Sequence, residues 1–218
     1  MKTSNNKKAY AFAVKEAAAA VLAFTLLFTA CPNNAGGGGT PYVQVPYGEL
    51  RSYLKGTASA DKVNYIEVTG PIPKDDFKNT GAVSRLGNTI NRYSRKVALK
   101  IETYPSDLTD MGYCFYECTN LISLANLPAS VTSMYMCFNG CTKLTGVKLK
   151  CDYNPGTIPG PYQAFADAFK GCTALTDGGI KVPAAYYDNY TGSAALTTMQ
   201  VPGADTAAQK AKFAAYNP

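Results

Sequence analysis

The sequence "CFYECTNL" (Cys114 to Leu121) nearly recurs as "CFNGCTKL" (Cys137 to Leu144). The two C-x-x-x-C pairs are separated by eighteen residues. This spacing is compatible with a structural zinc site, with disulfides, or with two turns of a repeat. A zinc site, disulfides and a repeat predict different patterns in the residues around the cysteines. Those residues therefore decide between the three explanations.

The step from Cys114 to Cys137 relates much more of the chain than the cysteines alone. The same step joins Met111 to Met134 and Leu121 to Leu144. A third copy, "AFKGCTAL" (Ala168 to Leu175), follows the second after a somewhat longer interval. The turn-rich sequence "CDYNPGTIPGP" accounts for the extra length as a loop insertion. Self-similarity at a fixed period predicts a repeat array.

The third copy argues against zinc, because Ala168 stands where the first cysteine of the pair is expected. Alanine cannot bind a metal, but it can fill a small buried space, so we predict a ladder of small apolar side chains. No metal and no other cofactor is predicted. The predicted repeat core consists of Cys114, Phe115, Cys118, Leu121, Cys137, Phe138, Cys141, Leu144, Phe169, Cys172 and Leu175.

Disulfides between neighbouring repeats stay open as an alternative for these cysteines. An exported protein permits them, and equivalent residues on adjacent strands lie about 4.8 Å apart, which is within bridging range. The parallel side chains of such a stack make the required dihedral angle difficult.

The N-terminus is typical of an exported protein. Four lysines precede an apolar run at residues 17–30, which is followed by Cys31. This run is shorter than the roughly 20 residues of a spanning helix, so residues 1–30 are predicted to be a signal peptide. The sequence "LLFTAC" resembles a bacterial lipobox, although Phe28 departs from the usual aliphatic residue. The resemblance implies lipidation at Cys31, and residues 31–47, which are rich in glycine, are predicted to be a flexible tether.

Charge and length set further limits. Residues 1–30 contain four lysines and one glutamate, so their removal lowers the formal net charge from +6 to +3. This value predicts no nucleic-acid partner and no other particular anionic partner. The remaining length is sufficient for one domain with a core of its own.

The repeat itself is similar to a known family. "C-T-x-L", a Pro-bearing segment, "V-T-x-M" and "(A/C)-F-x-x-C" resemble the BspA-like leucine-rich repeats of bacterial surface lipoproteins, especially those of spirochaetes. The resemblance covers residues 95–183. It implies an α/β fold, a leucine-rich repeat solenoid of four to five short rungs with stacked short strands and helical caps at both ends. One departure is that the stretch before Pro is one residue longer than the common pattern.

The alignment of the copies also predicts individual elements. Strands are expected at 98–102, 121–125, 144–149 and 180–182, with a degenerate first rung at 64–68. Residues 48–94 are predicted to form the N-terminal cap, in which Val83, Leu86 and Ile90 keep helical spacing. Residues 184–218 are predicted to form a helical C-terminal cap, with Asp205 as the N-cap of a helix over 206–216.

The composition disfavours an enzyme. The chain has no histidine, which removes Ser-His-Asp and Cys-His nucleophiles and any histidine metal site. The carboxylates are scattered, and Asp75 and Asp76 lie in a turn rich in Pro and Lys. No enzymatic activity is therefore predicted.

Two features favour binding instead. Basic residues without an intervening acid follow Asp76, namely Lys78, Arg85, Arg92, Arg95, Lys96 and Lys100. They are either the solvated face of a cap helix or a patch for an anionic glycan or acidic protein. The chain also has 16 tyrosines. Tyr113, Tyr116 and Tyr135 either pack between repeats or form part of an adhesive surface.

The predicted function follows from the resemblance. A BspA-like protein anchored by its N-terminal lipid is expected at the outer membrane or cell surface, where it binds extracellular or envelope proteins. The family implies adhesion to host matrix proteins or to other bacteria. The alternative is a structural or periplasmic envelope lipoprotein without an external ligand. The sequence makes no prediction of the oligomeric state.

Overall fold

A computed structural model describes residues 42–78, 83–153 and 164–218. The predicted signal peptide, the predicted lipidation site at Cys31, most of the predicted tether and most of the predicted loop insertion lie outside these residues. The chain divides into two units, Met1–Val43 and Gln44–Pro218. Only the last two residues of the first unit are described, so the fold is that of the second unit.

Seven strands form one sheet in which each strand lies beside the next one in the chain. Every described pairing from the second strand to the seventh is parallel. The chain therefore advances across the sheet in one direction. The strands are β1 (Val43–Pro46), β2 (Asn64–Thr69), β3 (Val97–Ile101), β4 (Leu121–Leu127), β5 (Gly146–Leu149), β6 (Ile180–Pro183) and β7 (Phe213–Tyr216).

One face of the sheet packs against the core. In β2 buried residues alternate with half-buried ones, so that Ile66 and Val68 face inward while Glu67 lies on the outer face. The register pairs Glu67 with Lys100 of β3. The outer face therefore carries charged side chains beside one another.

Short helices occupy the two ends of the sheet. They are α1 (Leu50–Gly56), α2 (Arg85–Asn91), α3 (Tyr187–Thr191), α4 (Ser193–Met199) and α5 (Thr206–Ala211). The Ser84 hydroxyl caps α2 by accepting a hydrogen bond from the Gly87 amide at 2.9 Å. Leu86 and Ile90 of this helix are buried, as their helical spacing predicts. Asp205 caps α5 by accepting from the Ala208 amide at 2.8 Å.

A second hydrogen-bond ladder links the repeats on the side away from the strands. The Cys-Phe segments form turns, and their amides donate to carbonyls one repeat further along the chain. The ladder includes Phe115 N to Cys137 O (2.9 Å), Phe138 N to Ala168 O (3.0 Å) and Phe169 N to Met199 O (2.9 Å). Because Met199 belongs to α4, the C-terminal segment continues the stacking although its sequence has lost the repeat.

The extra residue before Pro128 forms a bulge. The pairing of β4 with β5 shifts its register between Leu124 and Leu127. Asn126 lies within this interval at a φ of 63°. One additional residue in a strand is accommodated by such a bulge, and it lies where the stretch before Pro128 is one residue longer than the pattern that the sequence resembles.

Two predicted segments differ from the structure. Val43–Pro46, predicted to belong to the tether, is strand β1 at the edge of the sheet. The helix predicted over 206–216 ends at Ala211, and Phe213–Tyr216 forms β7. Pairing with β6 outweighs the helix propensity of the alanines, because tertiary contacts commonly override that weak preference.

Candidate functional site

The predicted repeat core is buried throughout, but its cysteines do more than fill space. The second cysteine of each copy donates its S–H group to a backbone carbonyl of the preceding layer. These bonds are Cys118 Sγ to Gly87 O (3.2 Å), Cys141 Sγ to Phe115 O (2.9 Å) and Cys172 Sγ to Phe138 O (3.0 Å). The predicted apolar ladder is thus also a ladder of thiol donors.

The thiols are free and protonated. All six cysteines in the described residues are unpaired and buried. Burial raises the pKa of Cys118 and of Cys172 to about 12. Within the part of the chain that the structure describes, no group of three or more potential metal ligands occurs. A thiol that donates its proton to a carbonyl is not a zinc ligand, since zinc binds the thiolate.

An open groove lies across the carboxyl ends of β2 to β5, with a volume of about 680 Å³. Glu67, Lys100 and Glu102 line one side, while Asn126 and Lys150 lie beyond them. The bulge at Asn126 therefore shapes the groove. Parallel strands that end at one edge present their following residues together, which makes this edge a common location for binding sites.

Charged groups in the groove are partly neutralised by one another. Lys100 Nζ lies 2.6 Å from Glu67 Oε1. Glu102 accepts a hydrogen bond from the Gly70 amide at 3.4 Å. Lys150 has no carboxylate partner among the described residues. The groove thus offers one unpaired cation and one backbone-anchored carboxylate to a polar ligand.

Tyr104 lines the groove but does not present its hydroxyl to it. The oxygen is buried and has no hydrogen-bond partner among the described residues. Desolvation raises its pKa well above the ordinary value, with the Cys114 and Cys137 thiols contributing further. Its ring packs 5.6 Å from that of Phe77. Tyr104 therefore closes the core beneath the groove.

The outer sheet face continues beyond the groove with like charges. Lys148 of β5 pairs in register with Lys181 of β6, and two cations placed opposite each other repel. Tyr216 relieves part of this repulsion, because Lys148 Nζ lies 4.2 Å from the centre of its ring. This face is therefore cationic and carries an aromatic ring.

The predicted basic residues lie at several separate places in the structure and do not form one patch. Lys100 lies near the carboxyl end of β3 and pairs with Glu67. Arg85 lies 3.4 Å from Asp76, and Lys78 lies 2.8 Å from Asp75. Only Arg92, Arg95 and Lys96 remain together, in the segment that follows α2.

Three residues that the sequence analysis missed, Arg51, Lys55 and Tyr93, join this group. Arg51 Nε donates to the Tyr93 hydroxyl at 3.1 Å, and Arg92 lies 6.0 Å from the centre of the same ring. Lys55 is close enough to contribute, after Arg51 and Arg92, to lowering the Tyr93 pKa. We name Arg51, Lys55, Arg92, Tyr93 and Arg95 the cap cluster. Arg51 and Lys55 share one face of α1 because they are four residues apart, and this spacing was the available signal.

The three tyrosines near the Cys-Phe turns form a half-exposed aromatic group. Tyr113 packs edge-on against Tyr116, with ring centres 5.5 Å apart, and against Tyr135 at 5.3 Å. The rings contact one another between repeats and also reach the surface, and the adhesive role stays a prediction.

Comparison with protein-family models, with curated proteins and with solved structures finds no match for this chain. The BspA-like resemblance therefore stays a prediction. Among the helices that the structure describes, none has the length and hydropathy needed to cross a bilayer. The geometry defines an α/β protein with a polar groove and a separate cationic cluster.

Proposed function

We propose that the protein is a lipid-anchored leucine-rich repeat solenoid of the BspA-like type that binds other proteins at the bacterial cell surface. The observation that carries the proposal is the polar groove, which opens on the outer face of a parallel sheet built in sequence order. Solenoids use such extended faces to bind macromolecular partners. The C-x-x-x-C repeats and the lipobox-like "LLFTAC" support the family and the anchor.

The outer face supplies chemistry for a protein partner. Lys148 and Lys181 offer cations without described carboxylate partners, and Tyr216 offers a partly exposed ring. Lys150 extends this charge into the groove. Acidic segments of a matrix protein or of another bacterial surface protein complement such a face.

Binding is tested with the mature chain immobilised and purified extracellular-matrix proteins passed over it. Lys148→Glu with Lys181→Glu reverses the charge of the outer face and is expected to weaken binding at least tenfold. Lys143→Glu with Lys210→Glu makes the same change in net charge at exposed positions elsewhere, and this control is expected to bind normally. An equal loss of binding in both variants would show that binding depends on net charge and not on the charges of the sheet face.

The lipid anchor and the side of the membrane on which the domain lies are tested in cells. Cys31→Ser is expected to abolish incorporation of labelled palmitate and to leave precursor or released protein. Protease added to intact cells is expected to degrade the domain. Complete protection from the protease would favour the alternative, an envelope lipoprotein that faces the periplasm.

A further inference from the structure

The four cations of the cap cluster have no carboxylate partner among the described residues, unlike most of the other basic residues on the N-terminal half of the sheet. Lys74, Lys78, Arg85, Lys100, Lys170 and Lys212 each lie within 3.4 Å of a carboxylate oxygen. No described carboxylate lies within ion-pair distance of the four cations of the cap cluster. Their charges are therefore available to an external anion.

Backbone and aromatic contacts hold this cluster together. Arg95 Nε donates to the Leu54 carbonyl at 3.4 Å, which ties the turn before β3 to α1. Arg51 is fixed on the Tyr93 hydroxyl. Arg51, Lys55 and Arg92 are exposed, while Tyr93 and Arg95 are half-buried. The result is a preformed cationic surface that two helices and one turn share.

The cluster also lies near the point where the chain enters the compact unit. Strand β1 is the edge strand of the sheet, and α1 follows it directly. The Lys96 carbonyl accepts from the Asn64 amide at 2.8 Å, so the turns that precede β2 and β3 are adjacent. The cap cluster thus lies at the β1 end of the sheet, which is the end nearest in sequence to the proposed anchor at Cys31.

The length of chain between anchor and domain limits how far apart they lie. Cys31 and Gln44, the first residue of the compact unit, are thirteen positions apart in the sequence. Fully extended, this segment spans at most about 45 Å. A domain on so short a tether stays close to the bilayer surface, where unpaired cations meet lipid headgroups at high effective concentration.

We infer that the cap cluster is a membrane-docking surface that binds anionic lipid headgroups and orients the domain on the bilayer with its N-terminal end inward. The inference rests on the proposed lipid anchor. A polybasic patch held close to a bilayer adds electrostatic attraction to anionic lipids. Tyr93 suits this location, because tyrosine has an apolar ring and a polar tip and is enriched at bilayer interfaces.

Docking leaves the remainder of the molecule available. The groove and the cationic sheet face extend over β2 to β7, which lie beyond the edge strand. With the N-terminal end on the bilayer, the stack of strands points away from it. The cap cluster therefore performs a different task from the face that binds protein.

The test uses residues 32–218 without lipid, since Gln44–Pro218 is one compact unit with a buried core. Sedimentation is measured with vesicles of phosphatidylcholine, with and without phosphatidylglycerol. We expect binding only to the anionic vesicles, and we expect it to fall steeply as salt is added. Equal binding to both kinds of vesicle would overturn the proposal.

The matched variants separate the cluster from net charge. Lys55→Gln with Arg92→Gln removes two exposed cations whose side chains make no hydrogen bond to the described residues, so the fold is retained. Each cation near an anionic surface changes binding by roughly fivefold, which predicts a loss of roughly 25-fold for the pair. Lys143→Gln with Lys210→Gln is the control and is expected to bind as well as the parent. Equal loss in the two variants would refute the assignment.

A soluble polyanion distinguishes a lipid from a glycan as the ligand. Heparin is titrated against the same protein at the same salt concentration. Tight heparin binding without vesicle binding would identify an anionic glycan, and not the membrane, as the ligand of the cap cluster. The vesicle assay contains no acyl anchor and no protein partner. Its failure therefore leaves lipidation and protein binding standing, and the two kinds of failure are distinguishable.

Discussion

Single backbone positions determine how closely the layers of this molecule approach one another. A side chain at Gly87 would overlap the carbonyl oxygen of Cys114. The Ser84 hydroxyl also donates to this carbonyl at 2.7 Å. Helix α2 thus replaces a Cys-Phe turn as the first layer of the stack, and Gly87 is the residue that permits the contact.

Gly87→Ala is expected to destabilise the protein by about 1–3 kcal/mol or more, as overpacking of a closed interior does. Gly56→Ala is the control, because a methyl group there meets no atom within 4 Å. The midpoint of urea denaturation checks both variants. Equal midpoints for the two alanine variants would contradict the close approach of α2 to the first repeat.

The repeat also places left-handed residues at two equivalent positions. Tyr113, Met136 and Asp167 occupy the first position, with φ values between 51° and 57°. Glu117, Gly140 and Gly171 occupy the second, with φ values between 52° and 76°. Only Glu117 carries a side chain at the second position, where glycine is the unstrained residue.

Glu117→Gly is therefore expected to leave stability unchanged or raise it by up to about 1 kcal/mol, since the relief of strain exceeds the added entropy of the unfolded chain. Glu117→Ala is the matched control because it removes the same carboxylate but keeps a β-carbon at positive φ. Thermal melting compares the two variants. A lower melting temperature for the glycine variant than for the alanine variant would contradict the assigned backbone.

At the scale of elements, the repeats are held by a column of aromatic rings. Phe115 stacks on Phe138 with centres 5.7 Å apart and planes within 4°. Phe138 stacks on Phe169 at 5.6 Å and 8°. The equivalent phenylalanines of three successive repeats thus contact one another. Each repeat depends on its neighbours for burial.

Phe138→Ala is expected to cost about 3–5 kcal/mol, because it opens a cavity in the middle of this column. Its effect and that of Phe169→Ala are expected to depart from additivity by about 0.5 kcal/mol or more, as for residues in contact. Leu50→Ala in α1 is the control partner, three or more strand spacings of about 4.8 Å away. A double-mutant cycle with urea denaturation measures both couplings, and equal couplings would contradict the column.

The elements also show how far the sequence could predict this structure. The repeat step that relates Cys114 to Cys137 locates β3, β4 and the buried cysteines, because identical contacts recur at each repeat. Strand β7 could not be found in this way. "FAAY" is too short for a reliable alternation pattern and contains helix-favouring alanines, so its pairing with β6 decides its conformation.

The cap cluster was missed for a related reason. Its cations come from α1 and from the end of α2, about 40 residues apart in sequence. Sequence spacing identifies Arg92 and Arg95 as neighbours, but only the packing of the two helices adds Arg51. Ion pairs with Glu67 and Asp76 likewise remove Lys100 and Arg85 from the predicted patch.

At the scale of the whole molecule, the buried thiols couple folding to alkaline pH. Burial raises the pKa of Cys118 and Cys172 to about 12 and that of Cys151 to about 11. It also raises the pKa of Cys114 and Cys137. In the unfolded chain a thiol loses its proton near pH 8.5. Above this pH the unfolded state therefore binds fewer protons than the folded state.

The free energy of unfolding is consequently expected to fall as pH rises from about 8.5 to 10, with a limiting slope of about 1.4 kcal/mol per pH unit for each buried thiol. The stabilisation is fully present below the unfolded pKa and is lost as the pH approaches the folded values. Unfolded tyrosines deprotonate near pH 10, so the thiols dominate the lower part of this window. Urea denaturation at several pH values, with a reductant present, measures the slope.

Cys114→Ala with Cys137→Ala is the variant that tests the cause. Ala168 already occupies the equivalent position in the third repeat, so the loss of stability at neutral pH is expected to be small. The alkaline slope is expected to decrease by up to about 2.7 kcal/mol per pH unit, because two titrating groups have been removed. An unchanged slope would show that these two thiols do not titrate differently in the folded and unfolded states, which is incompatible with their burial beneath the first and second repeats.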